Sequence, residues 1–451
     1  MKMMNKILKN SALLLLLAAA LGMSSCTHEV DEIFDEDAVT RLENKSNEYK
    51  ELLTANGGKW QLEYYANTGE QGYIYLMTFH DDGSVTISAS NKWINQVKGG
   101  EGKFNTFASE NSAWDVISDN GPVLSFASYN TIFHLFATPE DIQELSGSGQ
   151  TSTDQTGYGH EGDYEFDLMK YSGDTLYLEG KKHGLDMIMT RVANVDDDEA
   201  FLSDVNAKAS ALFSSKVPTQ FLTLPNGKRY VISGASTYVM TMYPEGGDYV
   251  TENFSMNAIV TPLGLSFREP LELEGYTVRD FTRLDDGTLL CRQDNATTIT
   301  SGALNQLMCD QSLVWRIDVA RSGGQITTLL ETINSQLKSR KYKVSYVQFA
   351  YNATEQCYTM TFFTTKGTNT FKPTFYYTIE PQGENGVKMD FRETGDATAV
   401  NFLKWSPAMQ DFVNVLDGTV MTCSATSLLA PVDLTLTSTA NAADVMALSL
   451  Q

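Results

Sequence analysis

Hydrophobic positions in this 451-residue chain follow two rhythms, a period near 3.6 in a few stretches and a two-residue alternation across much of the remainder. In EDAVTRLENKSNEYKELLTANGG, Val39, Leu42, Tyr49, Leu52 and Leu53 gather near one helical face behind leading acids, and Gly57-Gly58 ends the run. The spacing predicts a helix over about 36–55. Phe201, Leu202, Val205, Ala209, Leu212 and Phe213 form a second stripe, and the acids Asp196 to Glu199 stand where a helix N-terminus favours negative charge, predicting a helix over 197–216. Ile326, Leu329, Leu330, Ile333 and Leu337 carry the cleanest period and predict a third helix over 326–340, with a shorter one near 400–413 in TAVNFLKWSPAMQDFVN.

Short β-branched and aromatic runs fill most of the remainder, among them GKWQLEYYA, GYIYLMTF, SVTISAS, DTLYLEG, YKVSYVQFAY, CYTMTFFTT and TFYYTIE. Hairpin signals separate them: Asp82-Gly83, Asn120-Gly121, Gly173-Asp174, Asn226-Gly227, Asp286-Gly287 and Asp417-Gly418. Several strands between successive helices exclude a regular βαβ order. The expected class is therefore mainly β with a few covering helices, built as antiparallel β-barrel or sandwich units. A DDG turn recurs in TFHDDGSVTIS and TRLDDGTLLC, each behind an amphipathic helix, which suggests a helix-plus-β domain over 36–194 and a second β-rich domain over 195–451. TIFHLFA, around His134, reads as a buried strand, whereas the stretch from Ala425 onward has patterning too weak to place.

The amino end carries a different signal. Lys2, Lys6 and Lys9 precede an apolar run from Ala12 to Leu21, long enough for a secretory signal and too short for a spanning helix. Met23-Ser24-Ser25-Cys26 resembles a lipobox, which implies a signal peptide over 1–25 and acylation of Cys26. Each buried methylene contributes about 0.8 kcal/mol, so several acyl chains on Cys26 would anchor the chain durably to the outer membrane. Residues 26–35 form an acidic tether with Glu29, Asp31, Glu32 and Asp35, similar to the surface-export tags of Bacteroidota lipoproteins, so the expected location is the cell surface.

Charge narrows the partners. Without residues 1–25 the chain keeps 30 basic against 56 acidic residues, a formal charge of −26. Phosphate neutralisation needs clustered cations, so nucleic acid is excluded as a partner. Beyond Cys26, the cysteines Cys291, Cys309, Cys357 and Cys423 lack CxxC spacing and give no support for zinc or iron–sulfur ligation. Their even number permits disulfides, with buried thiols as the alternative.

The first β unit, with Gly58-Lys59-Trp60 at its first strand and a Gly180 to Gly184 turn joining its last pair, resembles a small lipocalin-like barrel in which the tryptophan plugs one end. More of the chain carries a second resemblance. The ordered blocks EDAVTRLENKSNEYKELLTANGGKWQLEYYANTGEQGYIYLMTFHDDGSVTI, EGDYEFDLMK and PLGLSFREPLELEGYTVRDF are similar to the Bacteroidota lipoprotein family catalogued as domain of unknown function 4302, over residues 26 to about 420. That resemblance implies a secreted lipoprotein commonly encoded beside SusC-like and SusD-like importers. It brings no catalytic residues.

Catalytic chemistry has no residue-level signal: GxSxG and GxxxxGK are absent, and carboxylate pairs for glycoside hydrolysis cannot be chosen from 56 acids without knowing their separation. GYGHEGDYEFD collects His160, Glu161, Asp163, Glu165 and Asp167, but lacks the second histidine of HExxH and is broken by glycines; it reads as a polar loop. Asp196, Asp197 and Asp198 lack the turn glycine of a calcium loop. No cofactor and no metal is expected. Trp93 and Trp114 lie in polar surroundings and are the candidate ligand-binding residues, because aromatic faces stack on sugars. The expected function is a non-enzymatic binding or accessory component of a SusC/SusD-type uptake system, taking a glycan or peptide ligand. A secreted hydrolase with a carboxylate-based site and a structural scaffold for neighbouring lipoproteins are the alternatives.

Overall fold

The structure, a computed structural model, describes residues 36–94, 107–126, 128–138, 160–217 and 219–451. It is mainly antiparallel β, with three successive sheets and a few helices.

The first sheet contains β1 (Lys59–Tyr64), β2 (Tyr73–Phe79), β3 (Ser84–Ser90), β4 (Phe107–Ala113), β5 (Asp115–Ser118), β6 (Pro122–Ser125), β7 (Glu165–Ser172), β8 (Thr175–Gly180) and β9 (Asp186–Arg191). Their order is β4-β3-β2-β1-β9-β8-β7-β6-β5, so the edge strands are consecutive in the chain. Trp114 alone joins them. Its two neighbours can be no more than about 7 Å apart, which forces the sheet to curl until its edges approach at that end. Helix α1 (Ala38–Thr54), capped by the Asp37 side chain accepting from the Thr40 amide at 2.8 Å, packs on β5 and β6 and buries Tyr49 and Leu53. Val39, expected on the buried face, lies in the first turn and is solvent-exposed.

TIFHLFA is not a strand. Its His134–Phe136 segment is a 3₁₀ turn, and Ile132, Phe133, Leu135 and Phe136 are all buried within the first unit's core. Phe133 meets Tyr64, Tyr75, Phe126 and Phe166 at ring-centroid separations of 4.7–6.2 Å. A short, fully apolar run has the same signature in a buried strand and a buried turn, so alternation could not separate them.

At one end, the Trp60 indole donates to the Leu53 carbonyl at 2.8 Å. The Arg191 guanidinium lies 4.3 Å from the ring centroid and donates to the carbonyls of Leu52 and Ala55. Gly58 beside it has φ +64°, and a Cβ there would fall 2.1 Å from the Phe79 carbonyl oxygen, so this close crossing needs glycine.

Helix α2 (Asp198–Leu212) leads to a closed eight-stranded barrel of β10 (Thr219–Thr223), β11 (Arg229–Ser233), β12 (Val239–Pro244), β13 (Phe254–Thr261), β14 (Gly264–Leu273), β15 (Tyr276–Arg283), β16 (Leu289–Cys291) and β17 (Thr298–Thr300). Two of the acids at the start of α2 have structural partners: the N-cap Asp197 accepts from the Ala200 amide, and Asp198 pairs with Lys59 at 2.5 Å and accepts from the Ser88 hydroxyl. This barrel shares one apolar core with the first sheet. At the junction the Gly72 amide donates to the Ala258 carbonyl at 3.0 Å. A Cβ at Gly72 would meet Tyr65 at 2.7 Å and Ile259 at 2.8 Å, so the close approach depends on its absence.

The remaining strands are β18 (Trp315–Ile317), β19 (Lys343–Asn352), β20 (Cys357–Lys366), β21 (Asn369–Phe371), β22 (Thr374–Gln382), β23 (Gly386–Thr394), β24 (Thr419–Ser424), β25 (Asp433–Ser438) and β26 (Val445–Leu450). Eight of them close through the β19–β20 ladder, and β21 hangs outside on β20. Residues 195–451 thus contain two closed barrels, which follow the curled first sheet as the second barrel (β10–β17) and the last barrel (β18–β26). The stretch after Ala425 supplies β25 and β26, central strands of the last barrel. Helix α3 (Leu304–Met308) links the barrels, and α4 (Gln325–Lys338) buries Ile326, Leu330, Ile333 and Leu337 as its period predicts. The helix expected near 400–413 is two helices, α5 (Ala397–Trp405) and α6 (Ala408–Leu416), because Pro407 lacks an amide hydrogen and disfavours helical geometry at Ser406. Asp417-Gly418 follows α6 and links it to β24; it is not a hairpin turn. A second apolar core fills this barrel.

Cys291, Cys309, Cys357 and Cys423 are all free thiols. Burial pushes the Cys309 thiol up to about 11 and the Cys423 thiol to about 12, holding both protonated and unreactive at neutral pH.

Candidate functional site

Cys26, the expected lipidation site, lies outside the described residues. Trp93 and Trp114 are both packed: they are 9% and 8% exposed. The Trp93 indole donates to the Tyr73 hydroxyl at 2.8 Å and its ring meets His160 edge-on at 5.0 Å. Trp114 packs against Phe79 at 4.8 Å, at the seam between β4 and β5. Trp93 follows one end of β3, whereas the Trp114 amide bonds Gly83 just before the other end. At the rise of an extended strand these ends are roughly 20 Å apart, so the fold does not bring the two tryptophans together.

The acidic histidine cluster also disperses. His160 is buried and paired through Nδ1 with the Glu70 carboxylate, which accepts as well from the Asn67 amide group at 3.1 Å. Asp163 accepts from the amides of Lys182 and His183, both at 3.1 Å, and so holds the turn between β8 and β9. Glu165 accepts from the Ser125 hydroxyl at 2.8 Å, and Glu161 is exposed. Among the described residues no group of three or more His, Cys, Asp or Glu side chains converges as metal ligands.

A second buried ionic group ties the first two units. Glu63 on β1 accepts from Arg279 on β15 at 2.7 Å, and Arg279 also bonds Asp280 at 2.6 Å. Burial pushes the Glu63 carboxyl above the usual glutamate range while Arg279 pulls it back. These groups are enclosed at a packed junction and face one another.

Open space occurs elsewhere. A cleft of about 490 Å³ is lined by Ala137, Gly162, Asp163, Tyr164, Glu165, Lys181 and Lys182. Another, of about 330 Å³, lies where α2 meets the first sheet and the second barrel, with Tyr73, Asn206, Phe213 and Tyr238 in its wall. The larger cleft carries the stronger constellation. Tyr164 is 41% exposed, and beside it Glu165 offers a carboxylate and Lys181 and Lys182 two ammonium groups, while the Asp163 carboxylate is taken up by the turn amides. Lys181 pairs with Asp119 at 2.8 Å and lies 4.0 Å from Glu165. The arrangement suits a ligand with one apolar face and several hydroxyl or amide groups.

Tyr164 was legible by the criterion applied to the tryptophans: an aromatic in polar surroundings, here GDYEF. What sequence could not supply was the turn at Lys181 and Lys182, brought beside it by the pairing of β7 with β8.

The model of the domain of unknown function DUF4302 matches residues 30–285, more than half of the chain, ending within the loop after β15 rather than near 420. No curated protein matches the chain.

Proposed function

The chain belongs to the DUF4302 family, and from that premise we propose that it is a lipid-anchored outer-membrane lipoprotein of Bacteroidota type, serving as a non-enzymatic binding or accessory component of a SusC/SusD-type nutrient uptake system. The amino-terminal charge, the apolar run and the Cys26 lipobox support the anchor. A lipocalin-like origin of the first unit is supported by the pairing of its first and last strands, β1 with β9, and by Trp60 closing one end beneath Arg191.

The observation that carries a binding role is the cleft beside Tyr164. Aromatic side chains pack the interior of the first unit, so capture occurs on its rim. Two measurements test the reading. Intact-mass analysis of membrane-extracted protein is expected to find an acylated chain beginning at Cys26, and an unmodified thiol there overturns the anchor. The soluble domain, made without residues 1–26, is expected to bind glycans or peptides without turning them over. Hydrolysis abolished by one carboxylate substitution would instead establish the hydrolase alternative.

A further inference from the structure

From the geometry around Tyr164 we infer that the cleft is a saccharide-stacking subsite for an uncharged glycan. The inference rests on the binding reading above and adds the site and the ligand class.

Tyr164 is backed on the protein side. Its ring centroid lies 4.9 Å from that of His134, tilted by 34°, and His134 in turn lies 5.4 Å from Tyr129 at the same tilt. His134 is buried between the two tyrosines, which are 41% and 60% exposed. Its ring is fixed at Nδ1 by the Asn130 amide at 3.1 Å. The 3₁₀ turn that carries His134 is anchored by Phe133 and Phe136 in the core, so the row is held by the same residues that fill the first unit. A ring held in one orientation loses little freedom when a ligand stacks on it, and that preorganisation favours affinity.

Tyr164 also lines the cleft, with Glu165 and the Lys181–Lys182 turn around it. A pyranose presents an apolar CH face and a rim of hydroxyls. The phenol ring takes the face, the Glu165 carboxylate accepts from hydroxyls, and the lysine ammonium groups donate to them. Peptide capture commonly uses an unpaired strand edge or an apolar groove, and among the described residues neither lines this cleft. The excess of 26 negative charges on the mature chain disfavours acidic polymers at long range, which selects an uncharged glycan.

The test is affinity electrophoresis of the soluble domain through gels containing neutral polysaccharides (mannan, xylan, mixed-linkage glucan, galactan), with polygalacturonate and a tryptic casein digest as separate arms. At least one neutral polymer is expected to retard the wild type. Tyr164→Ala should weaken that retardation about tenfold, Tyr164→Phe should keep it because the ring remains, and Tyr129→Ala should weaken it less. Tyr249→Ala, an exposed tyrosine beyond β12 in the second barrel, should leave it unchanged. Far-UV circular dichroism checks that each variant is folded. Equal retardation of wild type and Tyr164→Ala overturns the subsite but leaves the binding role standing. Binding of polygalacturonate alone, or of casein peptides alone, overturns the ligand class. Absence of binding in every arm overturns both.

Discussion

The first and last β units have nine strands each, yet they enclose their cores differently. The last closes by hydrogen bonds, with β19 and β20 joining to leave eight strands in a ring and β21 outside. The first never pairs β4 with β5; it bends around Trp114 and relies on α1, the Trp60–Arg191 plug and the inserted Ile132–Phe136 segment to cover its apolar interior. A closed ladder satisfies its own backbone groups and leaves few edges. An open one must recruit connections to do so, and those connections carry side chains onto its rim. The binding candidates accordingly cluster on the first unit, whose inserted turn supplies both Phe133 to the core and His134 to the Tyr164 row.

The sharpest way to break this comparison is to remove one aromatic from each core. Phe133→Ala and Phe412→Ala each empty a fully buried position and should each cost about 3–5 kcal/mol. Because the described residues form two separate apolar cores, the losses should remain local. Hydrogen-exchange mass spectrometry in graded urea is expected to show Phe133→Ala weakening peptides from 36–300, and Phe412→Ala weakening those from 315–451. If either substitution lowers both regions equally, the two cores form one cooperative unit and the comparison loses its energetic meaning.

Next in size is the tie between the first sheet and the second barrel. Arg279→Met strands the Glu63 carboxylate at a buried junction and should cost about 3 kcal/mol at neutral pH, falling in acid as Glu63 takes up a proton. A urea midpoint unchanged at pH 7 would mean that the junction is held by its apolar contacts alone. Trp93→Phe is expected to cost less, about 1 kcal/mol, for loss of the bond to Tyr73. A loss of glycan binding without loss of stability in that variant would return Trp93 to the candidate ligand-contact residues.

Why the class was legible and the closure was not can be traced to particular residues. Alternation in GKWQLEYYA and GYIYLMTF marks each strand, and Asp82-Gly83 and Asp286-Gly287 mark turns with glycines at positive φ, because these are local requirements. The partner of β4 is not local: nothing near Phe107–Ala113 records that its free edge curls toward β5. Trp114 looked like a binding residue for the same reason. A tryptophan in polar sequence is indistinguishable from one sealing a seam until the sheet order is known. The Tyr164 subsite failed to register because its lysines come from a turn seventeen and eighteen residues away, set beside it only by strand pairing.

The smallest predicted effect concerns proton uptake at the junction. Burial holds the Glu63 carboxyl above its ordinary range in the folded chain, against the pull of Arg279. The folded state therefore retains a proton that the unfolded chain has already released. The contribution of this group is full below the ordinary glutamate range and is lost as pH rises through the folded value. Glutamine at position 63 does not titrate. Glu63→Gln should therefore gain stability relative to the wild type as pH rises from the ordinary glutamate range, about 4, toward neutral. Urea unfolding of both proteins across that range reads the difference directly. A difference that runs the other way would show that attraction to Arg279 outweighs burial, making the junction an acid-labile ionic latch.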